Sequence, residues 1–219
     1  MLIVIQILSF LTIGNTNDSS YIMKGDSLSK IGDYVGAYEY YKLGLSSLSD
    51  QPEKYVRILN RLAHISSVYL DDFNGGYSYL EQAKRILTQN DLITDTTRAL
   101  TFYTYGIYFN FCRDPPNPDS ALFYHKKALR LRKSFLQKND INIAKSYKGV
   151  GNIYRYMYYD YSNAEDYYVQ SLKILESGDA SYQKSAGSTH YSLSTTNRLK
   201  GDYSKALLYA YKTLSIYSK

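Results

Sequence analysis

The sequence predicts an all-α fold, a solenoid of about five helix-turn-helix repeats, on three observations. The stretch "GDYVGAYEYYKLGL" at 32–45 returns near the end as "GDYSKALLYAYKTL" at 201–214. A small residue marks the same point of every copy, at Ala37, Gly76, Ala121, Ala164 and Ala206. The spacings are 39, 45, 43 and 42 residues, a period whose variation belongs to loops. Apolar residues recur at i, i+3 and i+4, as one face of a helix requires, and no segment alternates as a strand would.

The first unit, 21–50, has Tyr21, Gly25 and Leu28 on one helix and Ala37, Tyr41 and Gly44 on the next. The second, 54–90, is the weakest, with Leu62 and Ala63 followed by Gly76, Leu80 and Ala83. The third, 97–135, carries Phe102, Tyr105, Gly106 and Phe109, then Ala121, His125 and Ala128, with "RDPPNP" lengthening its turn. In the fourth, 142–177, Tyr147, Val150, Gly151, Tyr154 and Tyr158 form one stripe. Residues 160–163 interrupt it, and Ala164, Tyr167, Tyr168, Ser171, Leu172 and Leu175 form a second. The fifth, 184–219, gives Leu193 and Ser194, then Ala206, Ala210 and Thr213. Each pair can bury its stripe only against its neighbours.

Composition fits such a thin structure. There are 27 Tyr against 7 Phe and no Trp, and a tyrosine can pack its ring while its hydroxyl reaches water. In "YRYMYYDY", 154–161, this assigns Tyr154, Tyr158 and Tyr161 to the core. Tyr156 is expected to point away with Arg155, which disfavours base stacking by the whole cluster. The net charge of +6 permits acidic partners, anionic membrane or nucleic acid and selects none.

Residues 1–20 read as a signal peptide and short linker: the apolar run from Leu2 to Ile13 has the length of a secretory h-region and is too short for an ordinary membrane span. No Lys or Arg precedes it. That reading places the protein outside the cytoplasm, in a periplasm or cell envelope; without it the chain is cytoplasmic. Residues 21–219 are the repeat domain.

Catalytic chemistry finds little support. Cys112 is alone, so neither an internal disulfide nor a cysteine zinc cluster can form, and its aromatic neighbours suit an inert thiol. His64, His125 and His190 belong to different repeats without metal-ligand spacing, and His125 stands where a packing aromatic is expected. Asp71, Asp72, Glu165 and Asp166 fall at turns and helix starts, where they favour the helix dipole. We expect no enzyme, cofactor or metal.

These residues resemble the tetratricopeptide repeat family, whose pattern sets a large residue, Leu-Gly and Tyr on the first helix against Ala, an aromatic and Ala on the second. The fourth unit matches through Tyr147, Val150, Gly151, Tyr154, Ala164, Tyr168 and Ser171. The period near 42 and "ALRLRKSFLQKNDINIAKSYKGVGNIY" resemble the longer repeats of kinesin light chains and of bacterial proteins with a caspase-like CHAT domain. The resemblance implies a right-handed superhelix and a protein-interaction scaffold whose first helices line a concave groove. That groove would be formed by Tyr103, Ile107 and Asn110, by Lys145, Lys148, Asn152, Arg155 and Tyr156, and by Tyr191 and Arg198. Lys148 and Asn152 are similar to half of the family's clamp for a peptide's terminal carboxylate, so the expected partner is a protein or peptide, acidic or ending in a carboxylate. The alternatives are the recognition region of a larger protein carrying a CHAT peptidase, and an RNA-binding solenoid, disfavoured because no one-base-per-repeat code is present.

Overall fold

The computed structural model describes residues 18–111 and 116–218. The apolar run from Leu2 to Ile13 and Cys112 lie outside them. Among the described residues the chain forms ten α-helices, one 3-10 turn and no strand. The helices are α1 (Asp18–Lys30), α2 (Tyr34–Leu45), α3 (Pro52–Tyr69), α4 (Phe73–Gln89), α5 (Asp95–Phe111), α6 (Pro118–Phe135), α7 (Ile141–Tyr156), α8 (Tyr161–Glu176), α9 (Gln183–Lys200) and α10 (Tyr203–Tyr217), with the 3-10 turn Ala180–Tyr182 before α9. None is long and apolar enough to cross a membrane.

The second helix of every pair begins in the same way. Asp33, Asp72, Asn117, Asp160 and Asp202 each accept a hydrogen bond from the backbone N–H three residues on. Such a cap satisfies a donor that the first helical turn leaves unpaired and is worth about 1 kcal/mol. In four of the five turns the residue before the cap is left-handed, with φ of 86° at Gly32, 53° at Asp71, 56° at Tyr159 and 83° at Gly201. Helix α7 therefore stops at Tyr156, and Tyr158 leaves the stripe assigned to it. It is 38% exposed, and its hydroxyl donates to Asp119.

The helices cluster into two compact units, one ending at Thr97 and one beginning at Arg98. In the first, α1 packs on α2, α2 on α3 and α3 on α4, around Ala37, Tyr41, Leu62, Val56, Leu59 and Ala83. In the second, α6 packs on α7, α7 on α8, α8 on α9 and α9 on α10, around Val150, Ala164, Tyr168, Leu172 and Leu193.

One contact recurs inside the pairs. A Cβ built on Gly25 would stand 2.6 Å from the Tyr41 ring, one on Gly106 2.7 Å from the His125 ring, and one on Gly151 2.8 Å from the Tyr168 ring. Each glycine lets a ring of the second helix lie directly on the first helix's backbone. The ring's polar end then reaches the residue after the glycine: Tyr41 Oη donates to Asp26 at 2.6 Å, and Tyr168 Oη to Asn152 at 2.8 Å. In the third pair that position is Ile107, and the buried Nδ1 of His125 has no hydrogen-bond partner.

Gly151→Leu is expected to cost about 1 to 3 kcal/mol, because the Tyr168 ring and the Ala164 carbonyl leave no room for a side chain. A melt indistinguishable from the parent would show that this contact is slack. His125 supplies a second expectation. Burial, aided by the Arg132 charge, pushes its pKa from 6.5 down to about 3. Over that window the unfolded chain takes up the proton and the folded chain does not, so stability falls as pH drops below 6.5. His125→Phe should flatten that acid limb in denaturant titrations between pH 7 and pH 4; an unchanged slope would assign it to other groups.

Candidate functional site

Helix α7 carries Lys145, Lys148 and Asn152 at spacings of three and four, which places them on one face. Opposite them stand Lys184, Ser185, Ser188 and Thr189, on the first turns of α9. Together with Ser171 and Leu175 of α8, Tyr103 of α5, Ile141 at the head of α7 and Tyr217 at the end of α10, they enclose a cavity of about 590 Å³. That volume is within the usual range of ligand pockets.

The lining carries three ammonium groups and no carboxylate. Lys148 Nζ is held 2.5 Å from Ser188 Oγ, and burial pulls the lysine's pKa below its usual value. Asn152 is oriented by the Tyr168 hydroxyl, so the glycine–ring contact of the fold also fixes a groove side chain. Ser171 is fully buried, and its Oγ has no hydrogen-bond partner. Thr189 is already committed, donating to the Ser185 carbonyl at 2.9 Å. The chemistry this favours is non-covalent capture of an anion. Among the described residues no cluster of His, Cys, Asp and Glu could hold a metal ion.

Of the residues singled out in the sequence, Tyr103, Lys145, Lys148 and Asn152 line this cavity, and Ile107 and Asn110 lie half-buried outside it. Arg155, expected in the groove, does not line this cavity. Helix α7 ends one residue later, and the guanidinium folds inward, 8% exposed, with its Cζ 4.5 Å from the Tyr156 ring. Tyr156 is 53% exposed and Tyr191 59% exposed, and Arg198 is in the last turn of α9; none of the three lines the cavity. Sequence reasoning missed Lys184, Ser185 and Ser188. The available signal was "QKSAGSTH", a run of small and polar residues where a first helix should be apolar. It also read Ser171 only as a packing residue.

A lysine desolvated in this way weakens the fold that carries it. The lowered pKa of Lys148 means that the unfolded chain holds this proton more tightly, so stability rises as pH climbs toward 10.5. Lys148→Met should raise the melting temperature at neutral pH and lose that alkaline gain, whereas Lys173→Met, on the exposed side of α8, should do neither. A Lys148→Met protein that melts below the parent would show that the ammonium stabilises the fold.

No protein-family model and no curated protein matches this sequence. Solved structures do match. A Rap protein complexed with competence and sporulation factor superposes with a TM-score of 0.79 at 22% identity, over 94% of this chain and 55% of that one. BtubC (BKLC) from P. vanneervenii gives 0.71 at 20% identity, over 89% and 77%. A Podosopora anserina chain of nearly identical TPR-like repeats, of kinesin light chain type, gives 0.65 at 11% identity, over 93% and 97%. This chain therefore spans little more than half of the Rap protein. At these identities the likeness is one of fold, and together with the repeated caps and glycine–ring contacts it makes this chain a helical repeat protein of the tetratricopeptide type.

Proposed function

We propose that the chain is a non-catalytic recognition scaffold and that its partner, a peptide or protein segment, places an anionic group in the cavity between α7 and α9. The observation that carries this reading is the lining itself, three lysines with no carboxylate to neutralise them. Lys148 is partly desolvated while Lys145 and Lys184 are exposed, and an incoming anion offsets the cost of burying the Lys148 ammonium. Tyr103, Ile141 and Leu175 offer apolar surface beside the lysines, which suits an apolar side chain next to the charged one. The Rap neighbour was solved in complex with its competence and sporulation factor, which agrees with recognition as the use of such a fold. A non-catalytic role fits the imidazoles. His125 is kept neutral by burial, and His190 Nε2 lies 3.4 Å from Glu176 with its Nδ1 unpartnered.

The test uses fluorescein-labelled octapeptides that contain one leucine and one anionic residue, aspartate or phosphoserine, or asparagine in its place. Fluorescence anisotropy at low salt should give a micromolar Kd for an anionic peptide, near 8 kcal/mol in total, and much weaker binding of the asparagine version. Lys148→Ala combined with Lys184→Ala should weaken binding at least tenfold, and Lys173→Ala should leave it unchanged. Full binding by the double variant would overturn the assignment of this cavity.

A further inference from the structure

We infer that the anionic group this cavity takes is a phosphate monoester dianion rather than a lone carboxylate; the inference rests on the reading of the cavity as the recognition site. Charge is the first argument. Three ammonium groups face the space, and a single carboxylate would leave two of them uncompensated, whereas a phosphate monoester brings a charge of about −1.5 to −2 at neutral pH.

The start of α9 is the second argument. Asp179 caps the 3-10 turn that leads into α9 by accepting from Ser181. Within α9 itself, Tyr182 at the N-cap supplies no side-chain hydrogen bond, the first turn contains no acid, and Lys184 stands in it. A cation there opposes the partial positive charge of the helix N-terminus. Lys184, Ser185 and Ser188 line the cavity from this end, so the helix dipole and its lysine act on the same space. A dianion is the group that both stabilise together.

The third argument is independent of charge. Ser171 lines the cavity and its buried Oγ has no hydrogen-bond partner, so its proton is uncommitted. Ser188 Oγ accepts from Lys148 and keeps its own proton. Two hydroxyls and three ammonium groups match the three terminal oxygens of a phosphoryl group, each able to accept more than one hydrogen bond. Two carboxylate oxygens would leave donors unused. The volume of about 590 Å³ exceeds the phosphoryl group, so the organic part of the ester lies against Tyr103, Ile141 and Leu175. That part is either a phosphorylated residue of a partner or a free phosphorylated small molecule.

The experiment is calorimetric titration of the full chain at low salt with four probes: acetyl-Leu-phosphoserine-Leu-amide, the same peptide with glutamate, glycerol 3-phosphate and inorganic phosphate. The phosphoserine peptide should bind at least tenfold more tightly than the glutamate peptide. Its affinity should drop severalfold between pH 7.5 and pH 5.5, as the ester with its second pKa near 6 takes up a proton. The glutamate peptide's affinity should not, because the lining holds neither carboxylate nor imidazole, the nearby Asp179 is held below the usual carboxylate range by its hydrogen bonds from Ser181, and His125, behind Gly149, stays neutral. Lys184→Ala should weaken the phosphoserine peptide about tenfold and Ser171→Ala about threefold, with Lys173→Ala as the silent control. Glycerol 3-phosphate binding as tightly as the peptide would support the dianion and name a free small molecule as its source; a tenfold advantage for the peptide would support it and name a partner's residue. Equal or tighter binding of the glutamate peptide, dependent on Lys148, would overturn the phosphate assignment and leave the scaffold reading standing. Absence of binding by every probe would overturn both.

Discussion

The structure depends on how closely a ring on one helix can approach the backbone of its partner. At Gly25, Gly106 and Gly151 the first helix offers no side chain, and Tyr41, His125 and Tyr168 lie against it. Two helices held this close leave no gap for water, and the remaining apolar residues of each pair fill in around the ring. The same contact turns the next side chain along, Asp26 or Asn152, toward a phenolic hydroxyl. Asn152 is thereby fixed on a cavity wall, so packing and recognition share one pair of residues.

Much of this was legible in the sequence because it repeats. The spacing of Ala37, Gly76, Ala121, Ala164 and Ala206 locates the five pairs, and the acidic or amide residue at each second helix's start is visible as a cap. Helix phase then places Lys145, Lys148 and Asn152 on one face. Tyr158 was misplaced because extrapolating a stripe assumes that the helix continues. It ends at Tyr156, and a left-handed Tyr159 turns the chain. The far wall of the cavity was invisible for another reason. Lys184 and Ser188 meet Lys148 only through the packing of successive pairs, and no local spacing encodes a contact between residues about 40 positions apart.

The tyrosine bias has a physical use in a thin layer of helices. Rings pack inside while hydroxyls tie neighbouring pairs at the surface: Tyr38 and Tyr79 share a hydrogen bond of 3.0 Å, and Tyr154 accepts one from Lys126 at 3.1 Å. Phenylalanine would supply the apolar area without these ties. Burial and the Asp26 carboxylate push the Tyr41 phenol up to about 12, so it remains a neutral donor.

His125 occupies an unusual place among the ring contacts, because it touches two glycines. A Cβ on Gly106 would stand 2.7 Å from the imidazole, and a Cβ on Gly149, in the next pair, 2.8 Å from it. Positions 106, 125 and 149 are therefore not free to drift separately during evolution. A larger side chain at either glycine becomes tolerable only after the ring has shrunk, and a shrunken ring opens a void that then favours a larger neighbour. Related sequences should carry these three sites as a correlated set, changing together or not at all, with intermediates of low fitness separating the combinations.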